Sequence, residues 1–283
     1  MLNILFFISL MLFFLAAVVN IAGTAKKKEG LPIEGDSDGQ ISQSSSLGFL
    51  KISWVFFLIG TGFLLVYFVI RGIIAGRLPM ANQFEFAMSF ALGIALMYIF
   101  MRIKFKINWI TNIAMPAAFL MMLYATSRPM AIKDLMPALR SPWFGVHIGS
   151  AVISYAAFAL AACAGIKYLI SLKKGEAENS PQMRQMDFFS YRLISLGMLM
   201  LTIVILSGAL WAEEAWSSFW SWDPKELWSF ITWIVYAIYL HQRLRKKWQG
   251  KRMAVFSIIA LGVVLFTFIG VNMLLPGLHS YVI

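Results

Sequence analysis

Long apolar runs alternate with short polar breaks eight times along this chain. Their approximate limits are 2–22, 49–70, 84–101, 108–125, 144–172, 188–210, 226–242 and 253–275. A helix rising 1.5 Å per residue needs about 20 apolar residues to cross the roughly 30 Å hydrocarbon core of a bilayer. Most of the runs meet that length, and the third, fourth and seventh fall at its short end. No series of strand-length alternating segments competes with them. Backbone polar groups must therefore be satisfied inside helices. The pattern predicts an all-α integral membrane protein, a polytopic bundle of about eight transmembrane helices, with 1–283 as a single transmembrane domain. The first run has no basic stretch before it and no small-residue cleavage site after it, and AKKKEG follows. It is expected to be a retained span and not a signal peptide. Segment 23–48 is polar and rich in Gly and Ser, which predicts a flexible loop.

Composition agrees with a membrane protein. Hydrophobic residues make up 60% of the 283 and charged residues 13%, where soluble domains carry about 25%. The net charge of +11 sits in short clusters between the runs. It reads as topology information and gives no reason to expect a nucleic-acid partner. Fifteen basic residues follow the first, third, fifth and seventh runs, against six in the alternate breaks (Arg71, Arg77, Arg128, Lys133, Arg140 and Lys225). The positive-inside rule puts the heavier set, and with it loop 23–48, in the cytoplasm. Both termini and the break before the seventh run then face outward. The one cysteine, Cys163, lies within an apolar run. An intrachain disulfide and CxxC chemistry are both excluded.

That outward break is WAEEAWSSFWSWDPKELWSFITW, residues 211–233, with six tryptophans in 23 residues. Interfacial anchoring accounts for one or two, such as Trp228 or Trp233. The rest present an aromatic surface suited to a large planar ligand. The turn Asp223-Pro224-Lys225-Glu226 has the form of a capping box with proline at the first helical position, a structural role for Asp223 and Glu226. Glu213 and Glu214 are assigned no role.

Only three histidines occur: His147, His241 and His279. His147 follows Ser141-Pro142, a plausible N-cap and first helical residue, near the outer end of the fifth run. His279 follows the eighth run after Pro276 and Gly277, also outside. His241 closes the seventh run, roughly 25 Å along a helix from Pro224 and so near the inner boundary. An interfacial histidine with an apolar body and a wet tip is the plain alternative for each. Two neutral imidazoles flanking an aromatic loop also suit the axial positions of a haem iron. Tryptophan faces favour a macrocycle over a bare ion.

The pattern WAxxxWxxxWxWDPKExWxxxxW followed by YLH, with SPWxxxH before it and LPGLHSY after it, resembles the haem-handling superfamily with a tryptophan-rich "WWD" signature. Within it, the chain is similar to the CcsA branch, also called ResC, of System II cytochrome c biogenesis. Ser217 departs from that pattern, where glycine is usual. The resemblance implies a site assignment. The loop 211–226 would be an external haem-binding loop using Trp211, Trp216, Trp220, Trp222, Asp223 and Trp228. His147 and His279 would ligate haem iron on the outer side and His241 at an inner site. Haem b would be the transported substrate, to be attached by thioether bonds to the CxxCH of apocytochrome c. One inner histidine is too few for a bis-histidine site. The resemblance supplies the second from a CcsB/ResB-like membrane partner, and it leaves room for a thiol-reducing protein. Haem lyase activity would belong only to that complex, since no nucleophile or general base stands in a convincing arrangement. Export or delivery of haem without ligation is the alternative. The expected location is a bacterial plasma membrane ahead of a thylakoid membrane. Asn82, Gln83 and Glu85, at the start of the third run, are further candidates to line a route for haem.

Overall fold

The structure, a computed structural model, describes residues 2–29, 37–135, 140–275 and 277, with backbone alone over 27–29 and 37–45. Every apolar run falls on a helix: α1 (Leu2–Glu29), α2 (Ser37–Ala75), α3 (Gln83–Phe105), α4 (Thr111–Thr126), α5 (Trp143–Lys173), α6 (Pro181–Trp216), α7 (Pro224–Arg245) and α8 (Lys251–Leu265). The eighth run continues past α8 through a π-helical turn, Phe266–Gly270, into α9 (Val271–Leu274). Among the described residues there is no strand. Six of these segments are long and apolar enough to cross a membrane, while α4 is a shorter apolar helix. The chain is an all-α polytopic membrane protein.

The polar segment 23–48, expected as a flexible loop, is helical over much of its length. α1 runs on to Glu29 and α2 begins at Ser37, while residues 30–36 lie outside the described set. Ala25 to Glu29 propagate α1 readily once its apolar span has nucleated it.

Helix contacts gather the chain into two compact units, Met1–Pro79 with Ala87–Met130, and Met80–Phe86 with Ala131–Ile283. The single domain 1–283 remains an expectation from composition. In the first unit, α1 packs on α2 and α4. Phe13 and Phe57 stack with ring centroids 5.1 Å apart, and the Ser9 hydroxyl donates to the Gly60 carbonyl at 2.8 Å. The Arg102 guanidinium lies 4.0 Å from the Trp54 ring centroid, a cation–π contact that covers the charge. Arg71 is buried and donates to the Met130 carbonyl at 2.9 Å.

In the second unit α5 is the central helix. Its apolar window is 83% buried, against 39% for α6 and for the span Lys251–Leu274. The run AAFALAACAG, 156–165, explains this, because small residues let neighbouring helices approach closely. The Ser154 hydroxyl donates to the Gly197 carbonyl of α6 at 2.8 Å. A Cβ on Gly165 would sit 2.8 Å from the Ala254 carbonyl oxygen of α8. Cys163 is buried in this interior. Where α5 ends and α6 and α8 begin, Asp187 ties the unit together. It pairs with Arg243 at 2.5 Å and accepts the Gly250 amide at 3.0 Å.

Candidate functional site

At the other end of the second unit, α5 and α7 begin and α6 and α9 finish. The Asp223 side chain accepts the Lys225 amide at 3.0 Å, and Glu226 reaches back to the Asp223 amide at 3.2 Å. The capping box predicted from DPKE is complete, with Pro224 at the first helical position. Glu226 Oε2 also accepts the Ser221 amide at 2.9 Å and its hydroxyl at 3.2 Å, so one carboxylate oxygen gathers the turn before α7. Gly277 lies so close to this cap that a side chain there would collide with Asp223 Oδ1 and Pro224.

Helix starts and stops differ by a few residues from the expectation. α5 begins at Trp143 with Pro142 in the cap position. Ser141 accepts the Trp143 amide at 3.2 Å and donates a short hydrogen bond to Glu214. Ser141 thus links the start of α5 to the end of α6, which gives Glu214 a structural contact. The tryptophan loop is also shorter than 211–226. α6 continues through Trp211 and Trp216, because AEEA contains only good helix formers. It stops at Ser217, which is left-handed (φ 55°, ψ 36°) and donates its amide to the Glu213 carbonyl. That conformation favours glycine and explains why glycine would be usual at this position.

These elements surround a cavity of about 1190 Å³, open mouth included. His147, Trp211, Trp216 and Trp220 line it, and Phe86, Tyr155 and Phe268 interlock along its wall. Its polar lining includes Asn82, Gln83, Lys225, Glu226 and Asn272. Glu85 is buried outside the lining and accepts the Ala81 amide at 2.7 Å.

His147 is half-buried, and its Nδ1 lies 2.8 Å from the Val204 carbonyl of α6. A carbonyl oxygen only accepts, so Nδ1 carries the hydrogen and Nε2 carries the lone pair of the neutral ring. The ring is held by more than this bond. Trp211 meets it edge-on, with centroids 5.7 Å apart and an interplanar angle of 66°. A Cβ on Gly208 would lie 2.7 Å from His147 Cε1, so only glycine leaves the imidazole this seat. The Trp211 Nε1 is buried without a hydrogen-bond partner in the protein, and an unpaired buried donor costs about 1–3 kcal/mol.

Three of the expected residues do not line the cavity. Trp222 is 65% exposed and touches Trp220 edge-on at 5.9 Å. Asp223 is the cap. Trp228 packs on Phe266 at 4.3 Å, and its carbonyl accepts the Thr232 hydroxyl at 2.7 Å. His241 is exposed at the far end of α7, and His279 lies outside the described residues.

Residues 80–279 match the family model described as "Cytochrome C assembly protein". The matched stretch takes in the cavity and every described residue that lines it. The chain belongs to the CcsA family of cytochrome c assembly proteins. It is 36% identical over 268 residues to the cytochrome c biogenesis protein CcsA of Chlamydomonas reinhardtii, covering 90% of this chain and 76% of that one. It is 34% identical over 252 residues to CcsA of Prochlorococcus marinus, covering 77% and 80%. CcsA of Marchantia polymorpha is 33% identical over 267 residues, covering 77% and 83%. This CcsA-family chain therefore serves cytochrome c maturation, a process that handles haem and involves apocytochrome c with other biogenesis components.

The site fits such a ligand. Among the described residues no three His, Cys, Asp or Glu side chains converge on a bare ion. A macrocycle brings its own in-plane ligands and needs one imidazole per face. Lys225, Asn272 and Gly208 were not legible as site residues. Their partners lie 47 or more residues away in the sequence; Lys225 falls inside DPKE, which reads only as a cap, and no short motif marks the other two.

Proposed function

We propose that the chain carries haem b across the membrane and presents it, in the cavity lined by His147, for attachment to apocytochrome c. The observation that supports this most is the imidazole of His147, whose Nδ1–H is tied to Val204 and whose ring meets Trp211 edge-on in the wall of an open cavity that Trp216 and Trp220 also line. Fixing Nδ1 as the donor orients Nε2 as an axial ligand. In this reading His279 ligates the opposite face of the iron. Gly277, two residues before His279 in the sequence, is pressed against the Asp223 cap. The cavity end and both termini face outward and the basic end faces the cytoplasm, following the charge distribution.

Haem arrives at the cytoplasmic end through His241, with a second ligand from a CcsB/ResB-like subunit. At the outer site each CxxCH thiol adds across a haem vinyl. A sulfur–carbon bond forms, and the thiol hydrogen goes to the other vinyl carbon. The protein's contribution is positioning, since placing thiol and vinyl together removes most of the entropic cost of the encounter. A thiol reductant keeps both cysteines available. Trp211, Trp216 and Trp220 cover the ring faces, and Trp222, Asp223 and Trp228 hold the loop and the start of α7.

The test is the absorption spectrum of the complex purified with its partner, for wild type and for His147→Ala, His279→Ala and His241→Ala. Loss or shift of the low-spin bands in the first two, with the remaining haem dependent on His241, supports two sites. A full haem complement with unchanged bands in all three variants would sink the assignment.

A further inference from the structure

Resting on that reading of the cavity, a second feature of its wall says which part of the ligand goes where. Charged side chains around it are few, and most are already spent. Glu226 Oε2 is committed to Ser221 and Asp223, and Asp223 Oδ2 to the Lys225 amide. Lys225 is different. Its ammonium has three donors, and its hydrogen-bond partner is the neutral Asn272 Oδ1 at 3.0 Å. The Asn272 amide is oriented for this contact, because its Nδ2 donates to the Phe268 carbonyl at 2.6 Å. Asp223 is the one carboxylate that acts on this ammonium, and its Oδ2 is already held by the Lys225 amide; a half-buried cation in an aromatic wall, with donors to spare, has room for a second anion. The unpartnered Trp211 Nε1 in the same wall is a second idle donor.

We propose that Lys225, steadied by Asn272, anchors a carboxylate of the ligand, so that the cavity selects a planar macrocycle bearing carboxylates over a neutral one. In protoporphyrin the two propionates share one edge and the vinyls occupy the opposite part of the ring. Holding a propionate at the first turn of α7 therefore turns the vinyl edge away from that helix. Lys225 is thus a positioning residue. It orients the reacting carbons without touching them.

The experiment titrates the full chain in detergent with iron protoporphyrin IX and with its dimethyl ester, followed by absorption. Wild type is expected to bind the diacid about ten- to a hundredfold more tightly than the diester, the usual scale of one charge-assisted hydrogen bond. Lys225→Met should lose that preference by weakening the diacid alone, and Lys225→Arg should keep most of it. A wild type that binds both forms equally overturns the anchor and leaves the haem site standing. A wild type that binds neither overturns the site itself. A Lys225→Met protein that weakens both forms alike, or neither, also refutes the proposal. Should that variant fail to fold, the comparison of diacid and diester on wild type decides alone.

Discussion

Gly208→Ala separates the position of His147 from the stability of the helix that holds it. The added Cβ would lie 2.7 Å from His147 Cε1 and 2.8 Å from Nδ1. Comfortable carbon contacts are about 3.5–4.0 Å, so the ring must retreat by about 1 Å. The Nδ1···O bond to Val204, now 2.8 Å, then stretches toward the limit of a hydrogen bond, at a loss of about 1 kcal/mol. Alanine in place of a mid-helix glycine gains about 0.5–1 kcal/mol. The two nearly cancel, so the unfolding midpoint of the ligand-free protein should barely move. Ligand affinity should not escape, because a site tolerates about 0.5 Å of misplacement, and losing the group that orients a metal-binding histidine costs about 10- to 100-fold. The assay is haem titration by absorption, beside a thermal melt in the same detergent. Haem bound with unchanged affinity and bands in Gly208→Ala would refute the claim that this glycine seats the imidazole.

Gly165→Ala should do the reverse. Its Cβ would meet the Ala254 backbone at 2.8 Å and Ser257 Oγ at 2.5 Å, where a backbone cannot step aside. A destabilisation of about 1–3 kcal/mol should appear as a lower melting point with an unaltered haem spectrum, and an unchanged melting point would count against the close α5–α8 packing. Ser217→Gly should stabilise by about 1 kcal/mol, because it relieves the left-handed φ of 55°. A melt that shows no gain would mean that the serine side chain offsets the strain.

Continuous features of the sequence were the readable ones. Eight apolar runs mark eight helical segments, six of them long and apolar enough to cross a bilayer, because burial in a bilayer demands length, and length needs no partner. DPKE announces its cap because every bond of a capping box lies within a few residues. The end of α6 differs from the expected loop start for a related reason. A cluster of tryptophans suggested a loop, while AEEA has no reason to leave the helix before Ser217. Contacts that cross the chain stayed hidden. His147 finds Val204 57 residues later, and Lys225 finds Asn272 47 residues later. Neither pairing follows from local spacing. In the sequence Lys225 counts only as a charge on the sparsely basic side and as the third residue of the DPKE cap, and Asn272 only as a polar residue near the end of an apolar span. The π-helical turn at Phe266–Gly270 has no sequence signal at all, since FTFIG would continue an α-helix equally well.

That turn makes the length of the last span a property open to selection. A π turn holds one residue more than the α turn it replaces. Deleting one residue within 266–270 would restore regular α-helix and rotate everything beyond by about 100°. Asn272 would swing away from Lys225, and the segment through Gly277 would leave the Asp223 cap. Apolar substitutions on the exposed face of α8, at Val255 and Ile259 for example, should be freely exchanged over evolutionary time. Single-residue insertions and deletions between Gly250 and Gly277 should be purged, even where they leave the span long enough to cross the bilayer.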